Sequence, residues 1–442
     1  MSTVPLRWPG IIRLGLVQSA IGAIVMLATS LLNRVMVVEY ALPAALPAGL
    51  VAWHYGVQLS RPVWGHGSDR GFKRTPWIIG GMAVLALGAL VAVASLIWLS
   101  TGSWIGIVLA VIGFSMIGAG VGAAGTSLLA LLASQVAPER RAAAASITWV
   151  MMVAGIVVTA GIAGALVDPF SLERLALVAG GVVLAAFVVT LLALWNVETA
   201  PDALSFGGTQ SAEPNADFGG AVREMLSNRD ARQFTLFVFV SMLAYSMQDM
   251  ILEPFAGLLF GMTPGQSTQL SGVQHLGVLI GMVLVGVLGS AFGGGTPASL
   301  RRWIIGGCLG SAIALAGLGM AARIGTGWPL AGNIALLGFA NGIFAVAAIG
   351  TMMALAGAGG TSRAGIRMGV WGASQAVAFG LGGLIGAIGV DAGRAIMGSA
   401  PDAFMLVFGA EAGLFIVAAR LALGVAAVHP KITISTQQEL TA

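Results

Sequence analysis

Four charged residues stand where charge is expensive. Arg34, Glu39, Asp249 and Glu253 lie inside or at the rim of long apolar runs. Such groups normally pair or face a cavity. Asp249 and Glu253 are four apart, so on a helix they share one face. Two like charges so placed want a cation or a shared proton. Arg34 is the residue expected to supply that cation, across two helices; the alternative is a fixed ion pair with only a structural part. Two histidines form a second constellation. His54 and His275 each precede the end of an apolar run by about 11 residues, roughly 16 Å of helix, hence near a bilayer midplane. A neutral imidazole is a metal ligand; the competing reading is a histidine hydrogen-bonded between packed helices. Gln58, one turn beyond His54, and Gln274, beside His275, are partners under either reading.

Other chemistries find little support. The sequence has no Cys/His cluster, nucleophile triad or phosphate-binding loop, and Gly357-Ala358-Gly359-Gly360 lies at a helix end without making a nucleotide motif. Cys308 is the only cysteine and cannot form an internal disulfide. His66 belongs with its loop rather than with a metal site. The 19 methionines and 11 tryptophans read as core filler and interface anchors.

The elements that must position these groups are membrane helices. Apolar residues make up 57% of the 442 and charged ones 9%, against about 25% charged in soluble domains. A chain this apolar belongs in a bilayer. The 65 glycines point to close helix packing through small residues. A spanning helix needs about 20 mostly apolar residues. Twelve such spans are expected, at 11–37, 43–63, 76–99, 104–134, 142–167, 174–197, 233–260, 266–292, 302–322, 328–357, 363–390 and 402–425. The polar stretch from Glu198 to Arg232 separates two halves. The expected division is a first six-helix bundle at 1–199, a linker at 200–232, a second bundle at 233–428 and a tail at 429–442. With the N-terminus inside, only Arg34, Arg174, Arg323 and Arg394 of the 21 Lys and Arg fall toward the outer side. That bias places both termini and the linker in the cytoplasm. It also assigns the net charge of +4 to membrane orientation, with no nucleic-acid partner. The start lacks the short apolar region and small-residue site of a cleavable signal peptide.

The halves repeat one another. Trp77-Ile78-Ile79-Gly80-Gly81 returns as Trp303-Ile304-Ile305-Gly306-Gly307. His54 matches His275, Gly113-Phe114 matches Gly338-Phe339, Trp149 matches Trp371 and Asp168 matches Asp391. Asn33-Arg34 with Glu39 aligns loosely with Gln248-Asp249 and Glu253. Two parallel six-helix repeats joined by a linker resemble the major facilitator superfamily. The loop residues Gly65, Asp69, Arg70, Lys73 and Arg74 resemble its signature between helices 2 and 3, with Phe72 departing from the usual glycine. The resemblance implies an all-α membrane fold of twelve transmembrane helices. Helices 1 and 7 face a central cavity, and Asp69 faces the start of helix 11 near Thr361-Ser362-Arg363 as a lock between the halves. A topological role for those charges is the alternative.

A narrower resemblance rests on three segments: Leu32-Asn33-Arg34-Val35-Met36-Val37-Val38-Glu39, Gly65-His66-Gly67-Ser68-Asp69 with Thr75-Pro76-Trp77-Ile78, and Gln248-Asp249-Met250-Ile251-Leu252-Glu253-Pro254-Phe255. Together they resemble the PucC-type and LhaA-type branch of the superfamily in photosynthetic bacteria. That implies a non-enzymatic factor for assembly of light-harvesting complexes in the intracytoplasmic inner membrane. It would handle bacteriochlorophyll, with antenna polypeptides and pigment-synthesis enzymes as partners. His54 and His275 would then be axial ligands to the pigment magnesium. A proton-coupled transporter of a small solute, with Asp249 or Glu253 as its proton site, and a ligand-free scaffold are the alternatives.

Overall fold

A computed structural model describes residues 6–61, 64, 73–137, 140–198, 223, 227, 229–291, 297–357 and 361–424. Twelve long helices account for almost all of them, and no strand occurs among the described residues. In the first half they are α1 (Trp8–Glu39), α2 (Ala45–Gln58), α3 (Thr75–Leu99), α4 (Trp104–Gln135), α5 (Arg141–Val167) and α6 (Leu172–Leu194). In the second they are α7 (Arg229–Phe260), α8 (Pro264–Ala291), α9 (Pro297–Ile324), α10 (Leu330–Gly357), α11 (Thr361–Met397) and α12 (Ala400–Leu423). Eleven are long and apolar enough to cross a membrane; α2, with 14 regular residues, falls short of that length. The chain is a multi-pass membrane protein of the major facilitator architecture. Helix ends follow local chemistry. Ser103, Ser171 and Ser399 cap α4, α6 and α12 through their hydroxyls. Glu198, at the end of the first half, accepts from the Arg74 and Thr75 backbone N–H groups at 2.8 Å each and so caps α3.

Each half has its own apolar core. One runs from Ile11 to Val197, joined by Met250 and Ala387 of the other half, and is built mainly of aliphatic side chains. The other runs from Phe234 to Ala422 around Phe255, whose ring meets those of Phe404 and Phe408 edge to face. Close helix contacts depend on glycine. A Cβ on Gly113 of α4 would lie 2.8 Å from the Ala92 amide nitrogen of α3, so only glycine lets these backbones meet. Large aliphatic residues such as Leu177, Leu184 and Leu192 of α6 point outward, as a lipid-facing surface requires.

The halves meet along α5 with α8 and α2 with α11, and where the last turns of α1 touch α7. The cross-half hydrogen bonds of Ser30, Asn33, Arg34, Asp168 and Asp391 lie from mid-span toward the face opposite the chain termini. Two of these contacts are equivalent across the repeat. Asp168, at the end of α5, accepts from the Thr263 hydroxyl and, at 3.1 Å, from the Gly265 amide at the start of α8. Asp391 of α11 accepts from the Ala44 and Ala45 amides at the start of α2, at 3.1 and 2.8 Å. Each half thus places a carboxylate on a helix N-terminus of the other, where unpaired N–H groups and the helix dipole favour negative charge. Beside the first cap, a Cβ on Gly164 would lie 2.7 Å from the Gly265 carbonyl oxygen.

Candidate functional site

Helix α1 is not uniform. Leu27–Leu31 and Val35–Glu39 are π-helical turns around the short α segment Leu32–Arg34. Such insertions re-aim side chains and recur at functional sites. Here they turn Ser30, Asn33 and Arg34 toward the second half. Helix α7 answers with an interior proline, Pro254. Proline has no N–H, so the carbonyl four residues back, on Met250, loses its helical donor. Asn33 Nδ2 of α1 donates to that carbonyl at 2.7 Å. The asparagine of one half therefore completes the broken helix of the other.

Arg34 is 2% exposed. Its Nη1 pairs with Glu39 Oε1 at 3.0 Å and its Nη2 donates to the Met262 carbonyl at 2.7 Å. The guanidinium lies flat on Gly257, where a Cβ would come within 2.6 Å of Nε. Arg34 thus crosses to the second half as expected, but its ion pair is with Glu39. Glu253 lies within its electrostatic reach without a direct bond. Hydroxyls hold that buried carboxylate: Ser30 Oγ donates to Oε1, and Ser267 Oγ and Thr268 Oγ1 lie 3.4 Å from Oε2. Asp249, one turn earlier, is half-buried and, among the described residues, paired with no cation; its Oδ1 has no hydrogen-bond partner. The side chain of Gln274 lies beside it. Around Asp249 stand Tyr55 of α2, Tyr245 of α7 and Phe379 of α11, with Phe379 5.6 Å from the Tyr55 ring and 5.8 Å from that of Tyr245. All keep some accessible surface where α2, α7 and α11 meet.

The two histidines differ in a way that the repeat does not show. Arg61 donates through Nη2 to Gln58 Oε1. An arginine can only donate, so the amide oxygen of Gln58 faces it and the amide nitrogen faces His54. That nitrogen lies 2.7 Å from His54 Nε2, which in the neutral ring must accept. The ring proton then sits on Nδ1, which is buried without a partner. His54 has no lone pair left for a metal while Gln58 stays in place. His275 is the reverse. Its Nδ1 lies 2.9 Å from the Ser271 carbonyl, to which it can only donate. The neutral ring therefore carries its lone pair on Nε2, to which no group among the described residues donates. His275 is half-buried and shares a helical face with Thr268 and Ser271.

The loop residues separate too. Gly65, Asp69 and Arg70 lie outside the described residues, as does the expected contact of Asp69 with α11. Lys73 is exposed. Arg74 donates to the Ala130 carbonyl and the Ser134 hydroxyl, both at 2.7 Å, and ties α3 to the end of α4.

The family model described as PUCC protein matches residues 31–429. The chain belongs to the PUCC family. The chain is 51% identical over 431 residues to a Rhodobacter capsulatus protein named bacteriochlorophyll synthase 44.5 kDa chain, covering 98% of both. It is 30% identical to the protein PucC of the same species, covering 93% of this chain and 91% of the other. Against the Cereibacter sphaeroides protein PucC it is 29% identical, covering 93% and 90%. Among solved structures, the peptide transporter POT in complex with alafosfalin superposes with a TM-score of 0.67 at 13% identity, covering 96% of each chain. A bacterial homologue of the human lysosomal transporter Spinster, inward-facing and occupied, gives 0.66 at 15% identity, covering 93% of this chain and 95% of that one. These neighbours share the fold. The PUCC match begins at Leu31, so it takes in the α1 turns carrying Asn33 and Arg34 as well as Pro254 and His275.

Several residues of the site escape a reading by charge alone. Ser30, Ser267, Thr268 and Ser271 look ordinary in sequence. Asp168 and Asp391 are matched by the repeat, but nothing in that match says that each caps a helix of the other half. Glu411 of α12 is wholly buried, and neither of its oxygens has a partner. A lone carboxylate in an apolar run was the visible signal for it.

Proposed function

We propose that the chain binds bacteriochlorophyll in the gap between its two bundles and delivers it to light-harvesting antenna polypeptides during their assembly. The role is that of a carrier and not of an enzyme. Its setting is the photosynthetic inner membrane, with both termini cytoplasmic, and the pigment-synthesis enzymes hand the pigment over. Membership of the PUCC family and the name of the 51%-identical relative support a pigment-related role. The transporter fold supports carriage rather than catalysis.

The observation that carries this reading is the tautomer of His275. A bacteriochlorophyll magnesium supplies a Lewis acid that takes one axial ligand. His275 presents Nε2 with a free lone pair, oriented by the Ser271 carbonyl behind the ring, as ligating histidines usually are. The half-buried rings of Tyr55, Tyr245 and Phe379 offer the aromatic, apolar surroundings that a macrocycle needs. The donor set and the lining therefore fit the pigment. His54 serves instead as a hydrogen-bonded packing residue beneath Tyr55.

A strain lacking this chain, complemented with wild type or with His275→Ala, tests the reading. Wild type restores the near-infrared antenna bands, and His275→Ala restores them only weakly at equal protein level. Full restoration by His275→Ala would remove the ligand role. Normal antenna bands in the uncomplemented strain would remove the function.

A further inference from the structure

We propose that Glu253, Ser30, Ser267, Thr268 and Ser271 bind one monovalent metal cation such as sodium, where α1 of the first half meets α7 and α8 of the second. The inference does not depend on the pigment reading. The side-chain donors are all oxygen. Ser30 comes from the π-helical turn Leu27–Leu31, Glu253 from α7 and the other three from the first turns of α8. Glu253 is 3% exposed, Ser267 and Thr268 are 0% and Ser271 is 5%. Ser30 is half-buried and is the member that solvent touches. Measured contacts bring these oxygens together. Ser30 Oγ meets Glu253 Oε1 and lies 3.3 Å from Ser271 Oγ, and Ser267 Oγ and Thr268 Oγ1 each lie 3.4 Å from Glu253 Oε2.

The spacing and the hydrogens both point to an occupant. A hydroxyl donating to a carboxylate normally stands about 2.5–2.7 Å from it. Neighbouring oxygens on one octahedral hard cation, bound at about 2.4 Å, stand about 3.4 Å apart. The contacts at Oε2 have the second spacing. A serine hydroxyl carries one hydrogen and two lone pairs. That of Ser267 goes to the Pro264 carbonyl, its nearer acceptor at 3.1 Å. Ser267 therefore turns a lone pair toward Glu253 Oε2. Two buried acceptors facing one another are unsatisfied unless something positive lies between them. Charge makes the same demand, because an ionised carboxylate in an apolar interior needs positive charge close by. Arg34 lies within electrostatic reach, but its bonds go to Glu39 and the Met262 carbonyl. Among the described residues the groups bonded to Glu253 are the neutral hydroxyls. One carboxylate among neutral hydroxyls balances a single positive charge, and oxygen donors suit a hard ion.

A ligand that binds the folded chain alone raises its unfolding midpoint. Cys308 is buried and is the only cysteine, so thiol labelling on heating reads that midpoint directly. Purified full-length protein is heated at fixed pH and ionic strength while choline chloride is replaced stepwise by sodium chloride. The wild-type midpoint should rise with sodium. Glu253→Gln should abolish that rise. Thr268→Val, which keeps the shape but loses the hydroxyl, should need several-fold more sodium for the same rise, and Thr268→Ser should respond like wild type. A wild-type midpoint equal in sodium and choline would overturn the proposal. So would a sodium response that Glu253→Gln keeps in full. Should Glu253→Gln not fold, the Thr268 pair decides: equal sodium responses in Thr268→Val and Thr268→Ser overturn the site.

Discussion

Replacing Asn33 by leucine removes the donor that Pro254 makes necessary. The Met250 carbonyl then lies buried with neither its helical N–H nor the Asn33 amide. Leaving such a group unsatisfied costs about 1–3 kcal/mol. Asn33 Oδ1 is itself buried without a partner, so the leucine also removes one orphan acceptor, and the lower half of that range is expected. The second perturbation is Pro254→Ala, which returns an N–H to the helix and gives Met250 its normal partner. In that background Asn33→Leu should be nearly neutral. The two substitutions should therefore couple by about 1–2 kcal/mol, within the range measured for groups in one hydrogen-bond network. The assay is the rate at which a maleimide labels Cys308 under native conditions, which follows transient opening. Asn33→Leu should speed labelling about 5- to 30-fold in wild type, since each 1.4 kcal/mol is a factor of ten, and less than about 2-fold beside Pro254→Ala. An equal acceleration in both backgrounds would refute the argument that the asparagine exists to repair the proline break.

Other substitutions probe the rest of the interface. Gly257→Ala places a Cβ 2.6 Å from Arg34 Nε and should destabilise the chain by about 1–3 kcal/mol through overpacking; Arg34→Met in the same chain should relieve part of that loss in thermal unfolding. Asp168→Asn and Asp391→Asn each weaken a carboxylate cap between the halves, worth about 0.3–2 kcal/mol. Together they should raise the labelling of a cysteine placed at Val37 in a Cys308→Ala chain by several fold, and unchanged labelling would deny the caps a part in sealing that face. Glu198→Ala uncaps α3 and should lower stability by about 0.5–2 kcal/mol, read as a lower midpoint in the same heating assay.

The spans were legible because hydropathy and helix length constrain membrane segments so strongly. Their ends were less so. Helix α11 runs to Met397, past the expected end near 390, although Asp391 and Arg394 carry charge beyond it. Asp391 is instead bound to the start of α2 and stays within its helix. The charged residues stood out for the same reason that they matter, the cost of charge in an apolar run. Their partners did not. Arg34 meets Glu39 on its own helix because the π-helical turn Val35–Glu39 brings them together, and no periodicity announces a π turn. Glu253 is met by hydroxyls whose residue types are common in any membrane helix. The Asn33–Met250 bond was within reach of sequence, since an interior proline always leaves a carbonyl to satisfy, but its donor sits 217 residues away. Repeat matching paired His54 with His275 and could go no further. Which nitrogen carries the proton depends on Arg61 and Gln58 in one half and on the Ser271 carbonyl in the other.

The most direct measurement is the absorption spectrum of the purified chain loaded with bacteriochlorophyll, for wild type, His54→Ala and His275→Ala side by side. The account predicts bound, five-coordinate pigment in wild type and in His54→Ala, and loss or altered coordination in His275→Ala. Equal pigment in all three, or a loss in His54→Ala alone, would contradict it.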